Sequence, residues 1–334
     1  MRLLDYELLL NEDFLHVLRD VISEAKRRIY IASYIASLSK VTKDIYYAIA
    51  ERARNGVDVK IVLNGVSEEA LKFNRDTTDF LASIGIKNVK LTGVFTHVKL
   101  YIVDDYFIIG SHNLSGSPLM NRVEVSLMIH SKEMSDTLSE LFTESILKED
   151  VQSAVYRGVA AGAYYEVLAN YAVLRDFFQK TKLSERRAKI LMYIATLSKA
   201  TKRYYNLLAE KAAEGVEVAV LLNGASNMCK KYNELVANYL KAKGVERVML
   251  SKDFVHAKLL ILDDIVILGS HNLTSASIAG RMELSVAIMS NNLANALDSV
   301  FEELWAKQLE KPVSGEESDL YTSSRYLGHR GADS

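Results

Sequence analysis

The chain repeats itself at one fixed interval. His97-Val98-Lys99 followed by Asp104 returns as His256-Ala257-Lys258 followed by Asp263, 159 residues on. Gly110-Ser111-His112-Asn113 returns as Gly269-Ser270-His271-Asn272, and Glu124 as Glu283, at the same interval. Tyr34-Ile35-Ala36 and Leu38-Ser39-Lys40 match Tyr193-Ile194-Ala195 and Leu197-Ser198-Lys199, and Leu63-Asn64-Gly65 matches Leu222-Asn223-Gly224. An ungapped register of this length is a gene duplication, so the chain must fold as two copies of one unit.

Each copy alternates strand and helix patterns. Ile29 to Ala36 is an apolar, β-branched run, which predicts a buried strand. Ser39 or Thr42 can cap the following helix, which Gly56 ends behind Arg52 and Arg54. Strands are expected at Val57–Leu63, Asn88–Leu91, His97–Val103, Tyr106–Gly110 and Glu124–His130, with helices near Glu69–Ile84 and Met134–Leu147. The class is α/β: two tandem αβ domains, mixed sheets flanked by helices, related by a pseudo-twofold axis. The predicted divisions are residues 1–150 for the first domain, 151–170 for a linker helix, 171–311 for the second domain and 312–334 for a flexible tail. Leu18-Arg19-Asp20 resembles Leu174-Arg175-Asp176 at an interval of 156, which implies three extra residues near Lys182 to Ser184.

Bulk composition excludes several classes. With 41 basic and 42 acidic residues the net charge is −1, so any attraction to a polyanion must come from a local patch. The single cysteine, Cys229, permits no intrachain disulfide; it reads as a packed thiol in a reducing compartment. The first residues carry acids inside their apolar run and do not resemble a secretory signal. No stretch reaches the ~18 apolar residues of a membrane span. The expectation is a soluble, cytoplasmic protein without stable membrane insertion.

The duplicated residues carry a definite chemistry. On a strand, His97 and Lys99 share a face. A neutral imidazole is a nucleophile near pH 7 and an imidazolium is a proton donor. Lys99 offers positive charge and three donors to a phosphoryl oxygen, and Asn113 can return to the same sheet end with an amide donor. His256, Lys258 and Asn272 supply a second set. A phosphodiester between the two sets would meet one histidine in line and the other at its leaving oxygen. Lysines and asparagines would stabilise the equatorial oxygens. Such a site needs no metal and no cofactor, and a monomer can be competent while a homo-oligomer is possible.

This constellation resembles the phospholipase D superfamily, whose motif is His-x-Lys-x4-Asp followed by Gly-Ser/Gly-x-Asn. Both copies are intact here, as HVKLYIVD then GSHN and HAKLLILD then GSHN. The resemblance covers nearly the whole chain outside the linker and tail. It implies a covalent phosphohistidine, with His97 as nucleophile and His256 as acid and base. It also implies that Glu124 and Glu283 orient the histidines, and that Asp104 and Asp263 support the fold rather than touch substrate. Lys40 and Lys199 are expected to extend the phosphate-binding surface. Ser111 and Ser270 either bond a phosphate oxygen or shape their turns, and His112 and His271 face either the phosphate or the surface. Tyr34 and Tyr193 read as core.

The expected activity is that of a metal-independent phosphodiesterase, a hydrolase, foremost a nuclease acting on DNA or RNA. The alternative is a phospholipase D or a phosphatidyltransferase of the cardiolipin-synthase type acting on phospholipids. Basic rim residues and the lack of a membrane segment favour nucleic acid as the partner; the near-neutral charge opposes it.

Overall fold

The computed structural model describes residues 4–116, 122–170, 172–275, 277 and 281–310. The tail predicted over 312–334 lies outside them. The first half runs β1 (Asp5–Leu10), α1 (Asp13–Ser23), β2 (Arg28–Ser33), α2 (Lys40–Arg54), β3 (Asp58–Leu63) and α3 (Glu68–Ser83). It continues with β4 (Val89–Leu91), β5 (Leu100–Val103), β6 (Tyr106–Gly110), β7 (Arg122–Val123), β8 (Val125–His130) and α4 (Lys132–Leu141), which leads into a π-helical turn at Phe142–Ile146. The second half runs β9 (Ala154–Ala160), β10 (Ala163–Ala169), α5 (Ala172–Lys182), β11 (Arg187–Met192), α6 (Lys199–Ala213) and β12 (Glu217–Asn223). It ends with α7 (Asn227–Ala242), β13 (Arg247–Ser251), β14 (Phe254–Val255), β15 (Lys258–Leu262), β16 (Ile265–Gly269), β17 (Leu284–Met289) and α8 (Asn291–Leu309).

Each half builds a mixed sheet, in the orders β1-β8-β6-β5-β2-β3-β4 and β13-β12-β11-β15-β16-β17-β10-β9. Strands β2, β3 and β4 run parallel, and β5, β6, β8 and β1 continue antiparallel. Period-two alternation splits the side chains between two cores. In β5, Tyr101 and Val103 pack under α1 and α2 in the core of the first half. Leu100 and Ile102 face the other way, into a core shared with Ala257, Leu259 and Ile261 of the second half and with α4 and α8. The shared core clamps the two sheets together, and this places the strand ends carrying the repeated motifs against each other.

The linker helix is not formed. Residues 154–169 make a β-hairpin, turning at Ala161 and Gly162 with φ of 48° and 78°. Val155, Tyr156, Val159, Tyr164, Tyr165 and Val167 are β-branched or aromatic, and this composition suits a pleated, half-buried surface. Strand β10 pairs with β17 as β1 pairs with β8: Leu10 meets Val125 and Ala169 meets Leu284, the second pair offset from the first by 159 residues. It is therefore the copy of β1, and only β9 lacks a counterpart in the first sheet. The three-residue insertion also disappears. The buried face of α1, Phe14, Leu18 and Ile22, corresponds at 159 to Val173, Phe177 and Thr181, all buried. The Leu-Arg-Asp match at 156 was a coincidence of composition.

Helix starts follow the sequence closely. Ser39 caps α2 and Ser198 caps α6, each in a reciprocal capping box with the threonine three residues on.

Candidate active site

His97 and His256 lie just before β5 and β15, and their rings face each other with centroids 6.5 Å apart and planes at 83°. Backbone pairing across the halves holds them there. His97 N–H donates to the Met282 carbonyl at 2.8 Å, and His256 N–H donates to the Val123 carbonyl at 2.9 Å. Strand β14 pairs in parallel with β7, and Thr96 bridges to Met282 in the same sense. Each histidine thus sits on a two-stranded ribbon whose second strand belongs to the other half.

That ribbon decides which carboxylate meets which imidazole. Glu124, two residues beyond Arg122 on the β7 side, contacts His256 Nδ1 with both oxygens, at 2.9 and 3.0 Å. Glu283 contacts His97 Nδ1 at 3.1 Å. Each glutamate thus contacts the histidine of the opposite half.

Electrostatics follow from burial. Desolvation pulls His97 down to about 4, with Lys99 adding repulsion and Glu283 opposing. Desolvation likewise pulls His256 down to about 3, against the attraction of Glu124. Burial opposes ionisation of Glu124 and Glu283, yet the facing imidazoles and their hydrogen bonds outweigh it and hold both carboxyls at about 2. The unliganded site at neutral pH therefore holds two carboxylates and two neutral imidazoles. His256 Nδ1–H points at Glu124, and His97 Nδ1–H is shared between Glu283 and the Ser270 carbonyl at 3.2 Å, which leaves Nε2 with its lone pair toward the gap.

Lys99 and Lys258 are almost fully buried, at 1% and 2% exposure, so both ammonium groups are shielded from bulk water. Lys99 Nζ donates to the His97 carbonyl at 2.8 Å and Lys258 Nζ to the His256 carbonyl at 2.5 Å. Desolvation lowers Lys258 to about 8, and desolvation with repulsion from Lys258 lowers Lys99. Asn113 Oδ1 accepts from the Ile35 N–H at 3.2 Å, and Asn272 Oδ1 from the Ile194 N–H at 3.4 Å. Each amide therefore turns its Nδ2 donors away from that backbone.

The other predicted residues lie around the site or away from it. Ser111 and Ser270 are fully buried and accept from the Val125 and Leu284 N–H groups at 2.9 and 3.0 Å. Ser111 donates to the Val125 carbonyl, and Ser270 to Glu283. Both hydroxyls hold the turn, Ser270 also holds the Glu283 carboxylate, and the Ser270 carbonyl lies 3.2 Å from His97 Nδ1. His112 and His271 face neither phosphate nor surface. Both are buried, with Nδ1 on Ser126 or Ser285 and Nε2 on the carbonyl of Asn11 or Asn170 at 2.8 Å. Asp104 caps the opposite end of β5, accepting from the N–H groups of Lys26, Arg27 and Arg28 at 2.8 to 3.0 Å. Asp263 does the same for Glu185, Arg186 and Arg187. Both are structural and lie a strand length from the histidines. Lys40 and Lys199 are exposed first residues of α2 and α6, and no contact ties them to the histidines.

Several contributors escaped sequence reasoning. Tyr34 and Tyr193 are half-buried and stand edge-on to His97 and His256, at 5.1 and 4.9 Å. Lys99 and Lys258 lie over the same tyrosine rings, at 5.3 and 5.1 Å. Asn74 and Asn233, buried on α3 and α7, donate to the Tyr34 and Tyr193 carbonyls at 2.9 Å. Asn11 and Asn170 accept from the Glu124 and Glu283 N–H groups at 3.1 Å through their side chains. All three pairs repeat at 159, a signal present in the sequence. Cys229 is buried on α7.

A duplicated αβ unit whose two histidine–lysine–asparagine sets close on one gap defines an enzyme of the phospholipase D superfamily. The chain belongs to the family described as "Cardiolipin synthase, PLD-like domain", which matches residues 18–146 and 177–305. These two spans are themselves offset by 159. Cardiolipin synthase 1 of Staphylococcus aureus is 23% identical over 327 residues, covering 87% of this chain and 65% of that protein. The chain thus spans a little under two thirds of the length of this relative. Among solved structures, phosphatidylserine synthase of Haemophilus influenzae matches with a TM-score of 0.72 at 13% identity, over 91% of this chain and 86% of that one. Polyphosphate kinase of Porphyromonas gingivalis matches at 0.63 and 13% identity, over 90% and 47%. At these identities the solved structures support the fold alone.

Proposed function

We propose that the protein transfers a phosphatidyl group between alcohols, as a phospholipid-acting transferase. The observation that carries this reading is the match of both halves to the cardiolipin-synthase family, on a chain whose two motif sets are complete and assembled. It replaces nucleic acid with phospholipid as the leading substrate class. The exposed Lys40 and Lys199, on which the nuclease expectation leaned, lend it no contact with the histidines.

The outer wall of the cleft suits a lipid surface. Helix α7 is tied to the Tyr193 segment by Asn233. It exposes Met228, Tyr232 and Leu235 at 65%, 40% and 54%. Their i, i+4, i+7 spacing puts them on one stripe. The helix carries Lys230, Lys231 and Lys241 against one acid, Glu234; Lys231 borders the stripe, and Lys230 and Lys241 lie on the far flank of the exposed face. The duplicate helix α3 carries four acids and two bases. The copies have diverged so that one presents an apolar, basic face of the kind that beds into an anionic lipid interface. Among the described residues no helix is long and apolar enough to cross a membrane.

The geometry supports a two-step exchange. His97 Nε2 attacks phosphorus, the bond to the leaving alcohol breaks, and His256 imidazolium gives that oxygen its proton. An acceptor hydroxyl then returns a proton to His256 and attacks phosphorus, and the phosphorus–nitrogen bond breaks. His256 is neutral in the empty site, so the incoming phosphodiester must supply the negative charge that raises its proton affinity. Lys99, Lys258 and the Asn113 and Asn272 amides stabilise the charge that grows on the equatorial oxygens.

The hydrogen bonds break the symmetry of roles. Among the described residues the Glu124 carboxylate accepts only from His256, whereas Glu283 also accepts from Ser270 and from Ser277 at 3.3 Å. With fewer hydrogen bonds among the described residues, the Glu124 charge is better placed to stabilise an imidazolium, which favours His256 for proton transfer and His97 for attack.

Incubation with phosphatidylglycerol vesicles tests the function. The expected result is cardiolipin and glycerol from the wild type, and neither from His97→Ala. Cleavage of labelled oligonucleotides with no turnover of any phospholipid would return the reading to a nuclease.

A further inference from the structure

Arg122 and Arg281 form another pair at the interval of 159. Arg122 of the first half lies over the Phe254 ring of the second, at 5.1 Å, and Arg281 of the second lies over Phe95 of the first, at 4.3 Å. Both phenylalanines stand 6.5 Å, ring to ring, from the histidine of their own half. Arg122 is the register partner of Phe254 on the ribbon. Period two puts Arg122 and Glu124 on one ribbon face, and Phe254 and His256 on that same face. Each guanidinium therefore lies on the cleft side, roughly 7 Å along the ribbon from the carboxylate that serves the histidine.

Among the described residues neither guanidinium meets a carboxylate. Arg27, Arg28, Arg186, Arg187 and Arg247 each meet a carboxylate within 4.0 Å. Among the described residues no carboxylate lies at that distance from Arg122 or Arg281, and Arg122 Nε is buried without a hydrogen-bond partner. Stacking on a ring occupies the guanidinium faces and leaves the planar fork of donors free at the edge, the geometry that binds phosphate bidentately.

We infer that Arg122 and Arg281 form a second anion site, one on each side of the reacting phosphorus, and that it selects a phosphate-bearing alcohol as acceptor. The scissile phosphodiester occupies the histidine–lysine gap. An acceptor that is itself a phosphate ester would place its hydroxyl at phosphorus and its own phosphate about one ribbon step away, against a guanidinium. This rests on the transferase reading and adds the feature that distinguishes an anionic acceptor from water or a neutral alcohol.

The test separates the two claims. Hydrolysis of the small diester bis-p-nitrophenyl phosphate is followed with glycerol 3-phosphate or glycerol as competitor, so no lipid is needed. In Arg122→Gln and Arg281→Gln, the inhibition constant for glycerol 3-phosphate should rise roughly tenfold or more relative to that for glycerol. Arg122→Lys, which keeps the charge and loses the fork, should fall between. In parallel, phosphatidyl transfer from vesicles to phosphatidylglycerol should lose ground to transfer to glycerol in the same variants. An unchanged glycerol 3-phosphate to glycerol ratio in folded variants, verified by thermal melting, overturns the site. So does a loss confined to oligonucleotide cleavage, which would assign the arginines to a nucleic-acid backbone. Arginine-dependent inhibition in a protein that transfers no phosphatidyl group would uphold the site while overturning the transferase reading.

Discussion

Glu124 of the first half holds His256 of the second through both carboxylate oxygens, at 2.9 and 3.0 Å. The reciprocal pair, Glu283 with His97, closes at 3.1 Å. The halves have thus exchanged an essential part, and neither contains a complete histidine–carboxylate unit. A duplication that had kept its pairs within each half would leave two separable sites.

The exchange predicts crossed phenotypes. Glu124→Gln removes the partner of His256 and should slow proton transfer to the leaving group and from the acceptor. Glu283→Gln removes the partner of His97 and should slow formation of the covalent intermediate. Each should cost on the order of 10- to 100-fold in turnover, the worth of a charged hydrogen bond. Acid-quench trapping with a labelled diester distinguishes them. The fraction of phosphohistidine on His97 should rise in Glu124→Gln when acceptor attack limits, and fall in Glu283→Gln. Label found on His256 would reverse the assigned roles.

The distinction between what was legible in the sequence and what was not is physical. The motif residues and most elements follow from period and from the 159-residue interval, because local sequence and duplication both report them. The exchange of Glu124 and Glu283 could not be read, since both pairings give the same interval and differ only in how two sheets meet. The β9–β10 hairpin was readable from Gly162 and the β-branched and aromatic residues of 154–169, but the accidental match at Leu174 moved the repeat boundary past it. Ser111 and His112 looked available to substrate because sequence spacing does not reveal burial. Arg122 and Arg281 were visible as a repeat, but their cross-stacking on Phe254 and Phe95 depends on the ribbon between halves.

Burying Lys258 should cost stability in return for function. Its desolvation, only partly offset by Glu124 and Glu283, lowers its proton affinity to about 8 from an ordinary 10.5. The ammonium is therefore less comfortable in the empty site than in water. Lys258→Met should melt above the wild type by a few degrees in phosphate-free buffer while losing activity. Inorganic phosphate should raise the melting temperature of the wild type and not of the variant. A variant that melts lower than the wild type would show that the ammonium stabilises the fold.

Acid should unfold the protein through the same site. His97 and His256 titrate below their ordinary 6.5, at about 4 and about 3, and both glutamates titrate at about 2 rather than 4.5. In each case the unfolded chain binds more protons than the folded one inside that window. The stability these groups contribute is thus complete above about pH 6.5. It falls as pH drops through the histidine window and then through the carboxylate window toward 2. Proton NMR of the imidazole C–H groups checks the first part. His97 and His256 should titrate below pH 5, assigned by His97→Asn and His256→Asn against the also lowered His112 and His271, and at least one should move upward when vanadate binds. Ordinary midpoints near 6.5 for both would contradict the neutral-imidazole site.

The divergence of α7 from α3 predicts where a lipid surface engages. Met228, Tyr232 and Leu235 are exposed on one stripe of a helix that carries three lysines, and the aligned positions of α3 hold Glu69, Phe73 and Asp76. Burying two aliphatic side chains in the interface contributes about 3 to 5 kcal/mol by area. Met228→Asp with Leu235→Asp should therefore reduce flotation with phosphatidylglycerol vesicles strongly. Turnover of vesicle substrate should fall at least roughly tenfold further than turnover of the same lipid dispersed in detergent micelles. Because the lysines add an electrostatic part, wild-type binding should also weaken with salt and with neutral phosphatidylcholine. The exposed apolar pair of the first half, Phe73 on α3 and Val66 just before it, should have the smaller effect when both are changed to Asp, since that helix already carries net negative charge. Equal losses for the two helices would mean that the exposed stripe of α7 does not set the side on which the membrane lies.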